Sequence, residues 1–240
     1  MALDAGGISR FGLRPGAGHR PPDLAQAARQ EARADPAAPL IKVLIFDLCD
    51  TVVRTAGLPG LAHLPGVEGR HDARSLERWL LDSDEFYALE RGEIAADEFL
   101  AAFRTGLGLT ASDDQLHRAF EGLILHEIAG MAPLLRRLAA AYPLYALSNN
   151  NVMLWRGIER IFSALDTFTE IFLSQEIGLL KPNPMAFHYV LDKIGCFPRE
   201  TVLIDDNPHC TAAAAELGMA TVLFRDAVTT ERELSKILKK

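Results

Sequence analysis

The chain has 240 residues, 49% hydrophobic and 24% charged, which is enough to bury a core and carry one inserted domain. Its 25 Lys and Arg stand against 32 Asp and Glu, and a net charge of −7 argues against nucleic acid or an anionic membrane as the main partner. Three cysteines (Cys49, Cys196, Cys210) share no metal-ligand spacing and fit a reducing cytoplasm, and no run approaches the ~20 apolar residues that span a bilayer.

In chain order, residues 1–40 are rich in Gly, Pro, Ala and Arg and offer little to a core. They read as a mostly disordered leader whose one candidate element is a short helix around Leu24–Ala34. The segment lacks the basic and apolar regions of a signal peptide, and Asp4, Asp23, Glu31 and Asp35 count against a transit peptide. At Ile41 the character changes. IKVLIFD is a continuous apolar run ending in a carboxylate, the pattern of a strand buried on both faces.

Four similar runs follow at Leu144–Ser148, Glu170–Ser174, Thr201–Asp206 and Ala220–Phe224. Helical stretches at Met131–Ala141, Trp155–Phe162, Pro184–Ile194 and Pro208–Leu217 separate them, so the pattern predicts a Rossmann-like α/β core, a three-layer parallel sheet with right-handed crossovers. The core comprises residues 41–53 and 130–240. Residues 54–129 show helices instead, at Arg74–Asp82, Ser83–Arg91, Ala95–Arg104 and Ser112–Leu125, and read as a small all-helical cap beside the strand ends. Ser83 is a capping residue for the second of these, and Gly92 is its stop.

Ligands of such sheets gather beyond the carboxyl ends of the strands, where Asp47, Ser148, Asp205 and Asp206 stand. Phosphoryl transfer needs a nucleophile and, beyond that, mainly positioning and charge neutralisation. Asp47 can attack phosphorus and form an aspartyl-phosphate. Ser148 and the backbone amides after it in SNNN can bind phosphate oxygens, and Lys181 in GLLKPNP supplies a cation on a loop stiffened by proline. Asp205 and Asp206 are adjacent hard oxygen donors suited to Mg²⁺. Each residue alone is ordinary at a turn or surface; their order and strand placement together carry the reading.

FDLCDTVV, LSNNN, LLKPNP and VLIDDNPHC resemble the four motifs of the haloacid dehalogenase superfamily, over about 41–240. The later segments and LERGEI are similar to the small-capped branch that includes glucose-1-phosphate phosphatase-like enzymes. The resemblance implies a catalytic pair, Asp47 and Lys181; phosphate contacts from Ser148, Asn149 and Lys181, with Asn150 a weaker candidate; and Mg²⁺ held by Asp47, Asp205, Asp206 and the backbone carbonyl of Cys49. The implied partner is a small phosphorylated metabolite. Oligomeric state is not legible.

Cys49 departs from the family pattern. Phosphatases of the superfamily carry there a second Asp, which protonates the leaving oxygen and then activates water. Cys49 still offers its carbonyl, but a thiol of pKa near ~8.5 beside carboxylates is a poor proton shuttle. Asp50 is not simply that acid shifted by one place. The expected function is therefore a Mg²⁺-dependent phosphomonoesterase, slowed at this position. The alternatives are a non-catalytic phosphate-binding or regulatory protein, or a dehalogenase, which the Asp205–Asp206 pair disfavours. A Schiff-base phosphonate hydrolase is disfavoured too, because the insert contains no lysine.

Overall fold

The structure, a computed structural model, describes residues 41–64, 67 and 72–239, and the expected leader lies outside them. Its strands are β1 (Val43–Phe46), β2 (Val53–Thr55), β3 (Ile124–Glu127), β4 (Leu144–Ser148), β5 (Glu170–Leu173), β6 (Thr201–Asp205) and β7 (Ala220–Leu223). Five of them form one sheet in the order β5-β4-β1-β6-β7, every pairing parallel. β1 lies at its centre with all four residues buried, as its unbroken apolar run predicts.

Alternation along the strands divides the core into two layers. Leu44 and Phe46 join Leu144, Ala146, Val202 and Ile204 on one face, against Met131, Leu134 and Leu135 of helix Met131–Ala139 and Trp155 and Ile158 of helix Val152–Ile161. Ile45, Leu147 and Leu203 point to the other face, against Phe187, Val190 and Leu191 of helix Pro184–Ile194 and Ala214 of helix Pro208–Glu216. Helices thus cover both faces, the arrangement that a parallel sheet with helical crossovers requires. A last helix, Ala227–Leu238, escaped the sequence reading; the Asp226 side chain caps it by accepting from the Thr229 amide at 2.7 Å.

The insert has its own core. Helices Ala73–Leu81, Asp84–Glu90, Ala96–Leu107 and Asp113–Glu121 enclose Leu76, Leu80, Leu89, Phe99, Phe103 and Phe120. Phe103 and Phe120 meet edge to face at 5.4 Å, and Trp79 meets Phe103 at 5.3 Å. Ser83 caps the second helix as expected, and Ser112 and Gln115 form a reciprocal capping box on the fourth. Met153, from the core helix Val152–Ile161, is buried in this cluster and ties the cap to the core.

The insert is not helical throughout. The helix expected over Ser112–Leu125 stops at Glu121, and β3 follows, paired antiparallel with β2. In this ribbon β2 leads the chain out of the core into the cap, and β3 brings it back. A four-residue strand with two exposed residues carries too little apolar alternation to compete with the amphipathic pattern before it.

Candidate active site

Four segments far apart in sequence meet at the carboxyl edge of the sheet. Asp47 follows β1, its backbone amide donating to the Ile204 carbonyl at 2.8 Å, so the ladder with β6 runs to the carboxylate itself. Asp205 closes β6. Lys181 reaches between them: its Nζ lies 2.9 Å from Asp47 Oδ1 and 2.6 Å from Asp205 Oδ2. All three are buried, with Asp205 1% exposed. The second Asp205 oxygen accepts from the Asn207 amide at 2.9 Å, and Asn207 also caps helix Pro208–Glu216.

The loop bearing Lys181 is fixed by Asn149. Its side-chain nitrogen donates to the Lys181 carbonyl at 2.7 Å, and its oxygen accepts from the Lys181 amide at 2.8 Å. Both ends of the Asn149 side-chain amide thus bond the Lys181 backbone, so this side chain, expected to contact phosphate, also positions the cation. Of the amides expected to cradle phosphate, those of Asn150 and Asn151 are bonded within the loops. That of Asn150 donates to Ser174 Oγ at 2.9 Å, and that of Asn151 donates to Asn150 Oδ1 at 2.9 Å. Asn151 Oδ1 in turn accepts from the Met153 and Leu154 amides, capping helix Val152–Ile161. Ser148 is fully buried at the end of β4, and its hydroxyl makes one long bond of 3.4 Å to the Asn149 carbonyl.

Burial pushes the Asp47 carboxyl up to about 7 against the pull of Lys181, and the Asp205 and Asp206 charges add to the rise. Burial alone would lower the Lys181 ammonium, but Asp47 and Asp205 outweigh it and hold the side chain charged. Asp206 is exposed, and its carboxyl is raised by partial desolvation and then by Asp205 and Asp50. One carboxylate oxygen from each of Asp47, Asp205 and Asp206 lies within 4.8 Å of the others. Three crowded hard-oxygen donors, two of them raised by mutual repulsion as well as burial, fit a divalent cation such as Mg²⁺.

Cys49 is half-buried two residues beyond Asp47. Desolvation, followed by the Asp47 and Asp50 charges, pushes its thiol well above the usual range. Asp50 does not replace the missing acid. It adopts a positive φ of 55°, and its carboxylate accepts from Arg54 Nη1 at 2.8 Å, the Thr55 amide at 3.2 Å and Thr55 Oγ1 at 2.6 Å. Those bonds anchor the start of the β2–β3 ribbon.

On the cap side, Glu90 ends helix Asp84–Glu90 and is half-buried, and its charge is the smallest of those that raise the Cys49 thiol. It has no hydrogen bond or ion pair among the described residues, and burial pushes it up to about 7. The turn after it is seated on the core: Gly92 has φ +67°, and a Cβ there would overlap the Gln175 carbonyl. Elsewhere on the cap, Arg91 is paired with Glu93 at 2.7 Å, Tyr87 packs on Phe86, and Arg74 is exposed. Arg70 and His71 lie outside the described residues.

A strand-terminal carboxylate, a buried lysine and a carboxylate pair on a capped parallel sheet define a hydrolase of one superfamily, and the family model of haloacid dehalogenase-like hydrolases matches residues 41–218. The chain belongs to that family. It is 27% identical over 159 residues to the D-ribitol-5-phosphate phosphatase of Bacteroides thetaiotaomicron, covering 64% of this chain and 77% of that one. With the chloroplast flavin mononucleotide hydrolase 1 of Arabidopsis thaliana it shares 24% identity over 210 residues, 82% of this chain and 78% of that one. A match to the rat bifunctional epoxide hydrolase 2, 36% identical over 70 residues, spans 29% of this chain and 13% of that protein. Among solved structures, a haloacid dehalogenase family enzyme from B. thetaiotaomicron, in complex with magnesium and inorganic phosphate, superposes with a TM-score of 0.68 at 27% identity, over 78% of this chain and 95% of that one. The protein is a hydrolase with phosphatases among its relatives. Among the described residues no helix is long and apolar enough to cross a membrane.

Proposed function

We propose that this hydrolase is a Mg²⁺-dependent phosphomonoesterase acting on a small sugar or metabolite phosphate through an aspartyl-phosphate at Asp47. The observation that carries the reading is the Asp47–Lys181–Asp205 junction, 2.9 and 2.6 Å across, with the Asp206 carboxylate beside it. In this reading Asp47 attacks phosphorus, the alcohol leaves, and water then releases phosphate from the acyl-phosphate. Lys181 neutralises charge on the phosphoryl oxygens, held in place by Asn149, while the buried Ser148 hydroxyl offers them a donor. Oxygens of Asp47, Asp205, Asp206 and the Cys49 carbonyl would hold Mg²⁺, which when bound supplies further charge neutralisation. The D-ribitol-5-phosphate phosphatase and flavin mononucleotide hydrolase relatives favour a phosphorylated polyol or a related monoester as substrate. The cytoplasm is the compartment expected from the cysteine usage.

The test is a panel with Mg²⁺: ribitol 5-phosphate, flavin mononucleotide, glyceraldehyde 3-phosphate, hexose phosphates and an aryl phosphate. Turnover that depends on Mg²⁺ and disappears in Asp47→Asn is the expected result; turnover untouched by that substitution defeats the assignment. Cys49 favours a second reading, a phosphate-binding or regulatory protein without turnover. It predicts that neither the native chain nor Cys49→Asp hydrolyses even the aryl phosphate. The dehalogenase reading predicts halide release from a 2-haloacid without added metal.

A further inference from the structure

We propose that Ser174 is a positioning residue for Lys181: its hydroxyl fixes the turn whose side chain holds the lysine at the phosphoryl site. The inference rests on the phosphate site of the reading above and names the residue that sets the placement of its cation. From sequence, Ser174 stood only as the last residue of the run Glu170–Ser174.

The ladder between β4 and β5 ends at the pair Ser148 and Leu173. Beyond that pair the Ser174 side chain takes the place of a strand partner. Its Oγ accepts from the Asn150 amide at 2.9 Å and donates to the Asn150 carbonyl at 3.1 Å. One hydroxyl thus satisfies both backbone groups of that residue. Ser174 and Asn150 are fully buried, and a backbone donor or acceptor left unpaired there costs more than the bond itself contributes. The turn is therefore held against Ser174.

The neighbouring residue passes that placement on. The Asn149 side chain bonds the Lys181 carbonyl and amide at 2.7 and 2.8 Å. Two adjacent residues of SNNN therefore grip segment 174–181 at both of its ends, Asn150 through the Ser174 side chain and Asn149 through the Lys181 backbone. Each grip pairs a donor with an acceptor, so neither slides without breaking two bonds. The far end of the segment carries the ammonium that lies 2.9 Å from Asp47 Oδ1 and 2.6 Å from Asp205 Oδ2. The single Ser174 proton is committed to Asn150, so the residue acts through the turn.

The experiment compares Ser174→Ala and Ser174→Cys with the native chain. It reads calorimetric binding of inorganic phosphate in the presence of Mg²⁺, and turnover of the aryl and alkyl phosphates of the panel. Ser174→Ala should weaken phosphate at least about tenfold, the worth of one hydrogen bond to a charged group. It should cut kcat/KM about 10²-fold, as a misplacement of about 1 Å can. The loss should be the same for both esters, because Lys181 meets the phosphoryl group whichever alcohol leaves. Ser174→Cys keeps the space filled while weakening both bonds, so its losses should be intermediate; it carries the test if Ser174→Ala does not fold.

Ser112→Ala, which loosens a cap helix, is the control: it should lower the thermal midpoint without changing phosphate affinity. Unchanged phosphate affinity in a folded Ser174 variant would overturn the inference. So would losses no larger than those of Ser112→Ala at an equal fall in midpoint, since Ser174 would then be structural only. A native chain that binds phosphate but turns over no ester overturns the phosphomonoesterase reading alone, and the binding measurement still decides the role of Ser174. A native chain that neither binds phosphate nor turns over an ester overturns both.

Discussion

On the core side of the site, Asp47, Lys181 and Asp205 neutralise one another at 2.9 and 2.6 Å, and even the backbone of the lysine is clamped by Asn149. On the cap side stands Glu90, half-buried and without a partner among the described residues. The core residues sit on strand ends fixed by the sheet ladder, while the cap residue depends on a helix end docked through one glycine. The difference teaches what each surface can hold. Charged groups at the strand ends stay buried because they neutralise one another and the ladder fixes them. A cap carboxylate without a partner meets only the cost of its burial.

Perturbing each side separately sharpens that contrast. The largest effect is expected for Asp47→Asn, which should abolish Mg²⁺-dependent turnover to background while leaving the fold intact, checked by the substrate panel beside a thermal melt. Lys181→Met should follow. It strips two buried carboxylates of their common cation, and breaking a buried ion pair costs about 3–5 kcal/mol. Urea unfolding without Mg²⁺ should show that loss, and added Mg²⁺ should restore part of it by binding the same carboxylates. A Lys181→Met protein as stable as the native chain would mean that the core side is not held by charge.

Gly92→Ala should come third. A residue other than glycine at φ +67° costs roughly 1–3 kcal/mol in strain, and the new Cβ meets the Gln175 carbonyl, so the cap should lift from the core. Limited proteolysis should then cut within 54–129 faster than within the sheet. Equal protection of both regions would show that the docking does not depend on this glycine. The smallest effect belongs to Ser112→Ala, which removes the capping box of helix Asp113–Glu121 at a cost of about 1 kcal/mol and should leave activity near native levels.

The sheet was legible for a definite reason. A strand buried on both faces must be largely apolar, so β1, β4 and β6 appear in the sequence as apolar runs, each leading to a polar residue that is buried at the carboxyl edge of the sheet. The order of those runs was enough to bring Asp47, Ser148, Lys181 and the Asp205–Asp206 pair into one reading. The β2–β3 ribbon was not legible, because its two exposed, short strands have no such signature and follow a helix whose period runs into them. Helix Ala227–Leu238 went unread, although Asp226 before it is a capping residue.

The sequence by itself determined the class of core, the family and the set of charged residues at the strand ends, because burial dictates apolar runs and chemistry dictates carboxylates and lysine. Only the tertiary structure decided what each polar group does. Asn149 proved to hold Lys181, 32 residues away, and Asp50 to anchor the ribbon. Hydrogen-bond partners and desolvation depend on which surfaces meet, and one-dimensional spacing does not encode that meeting.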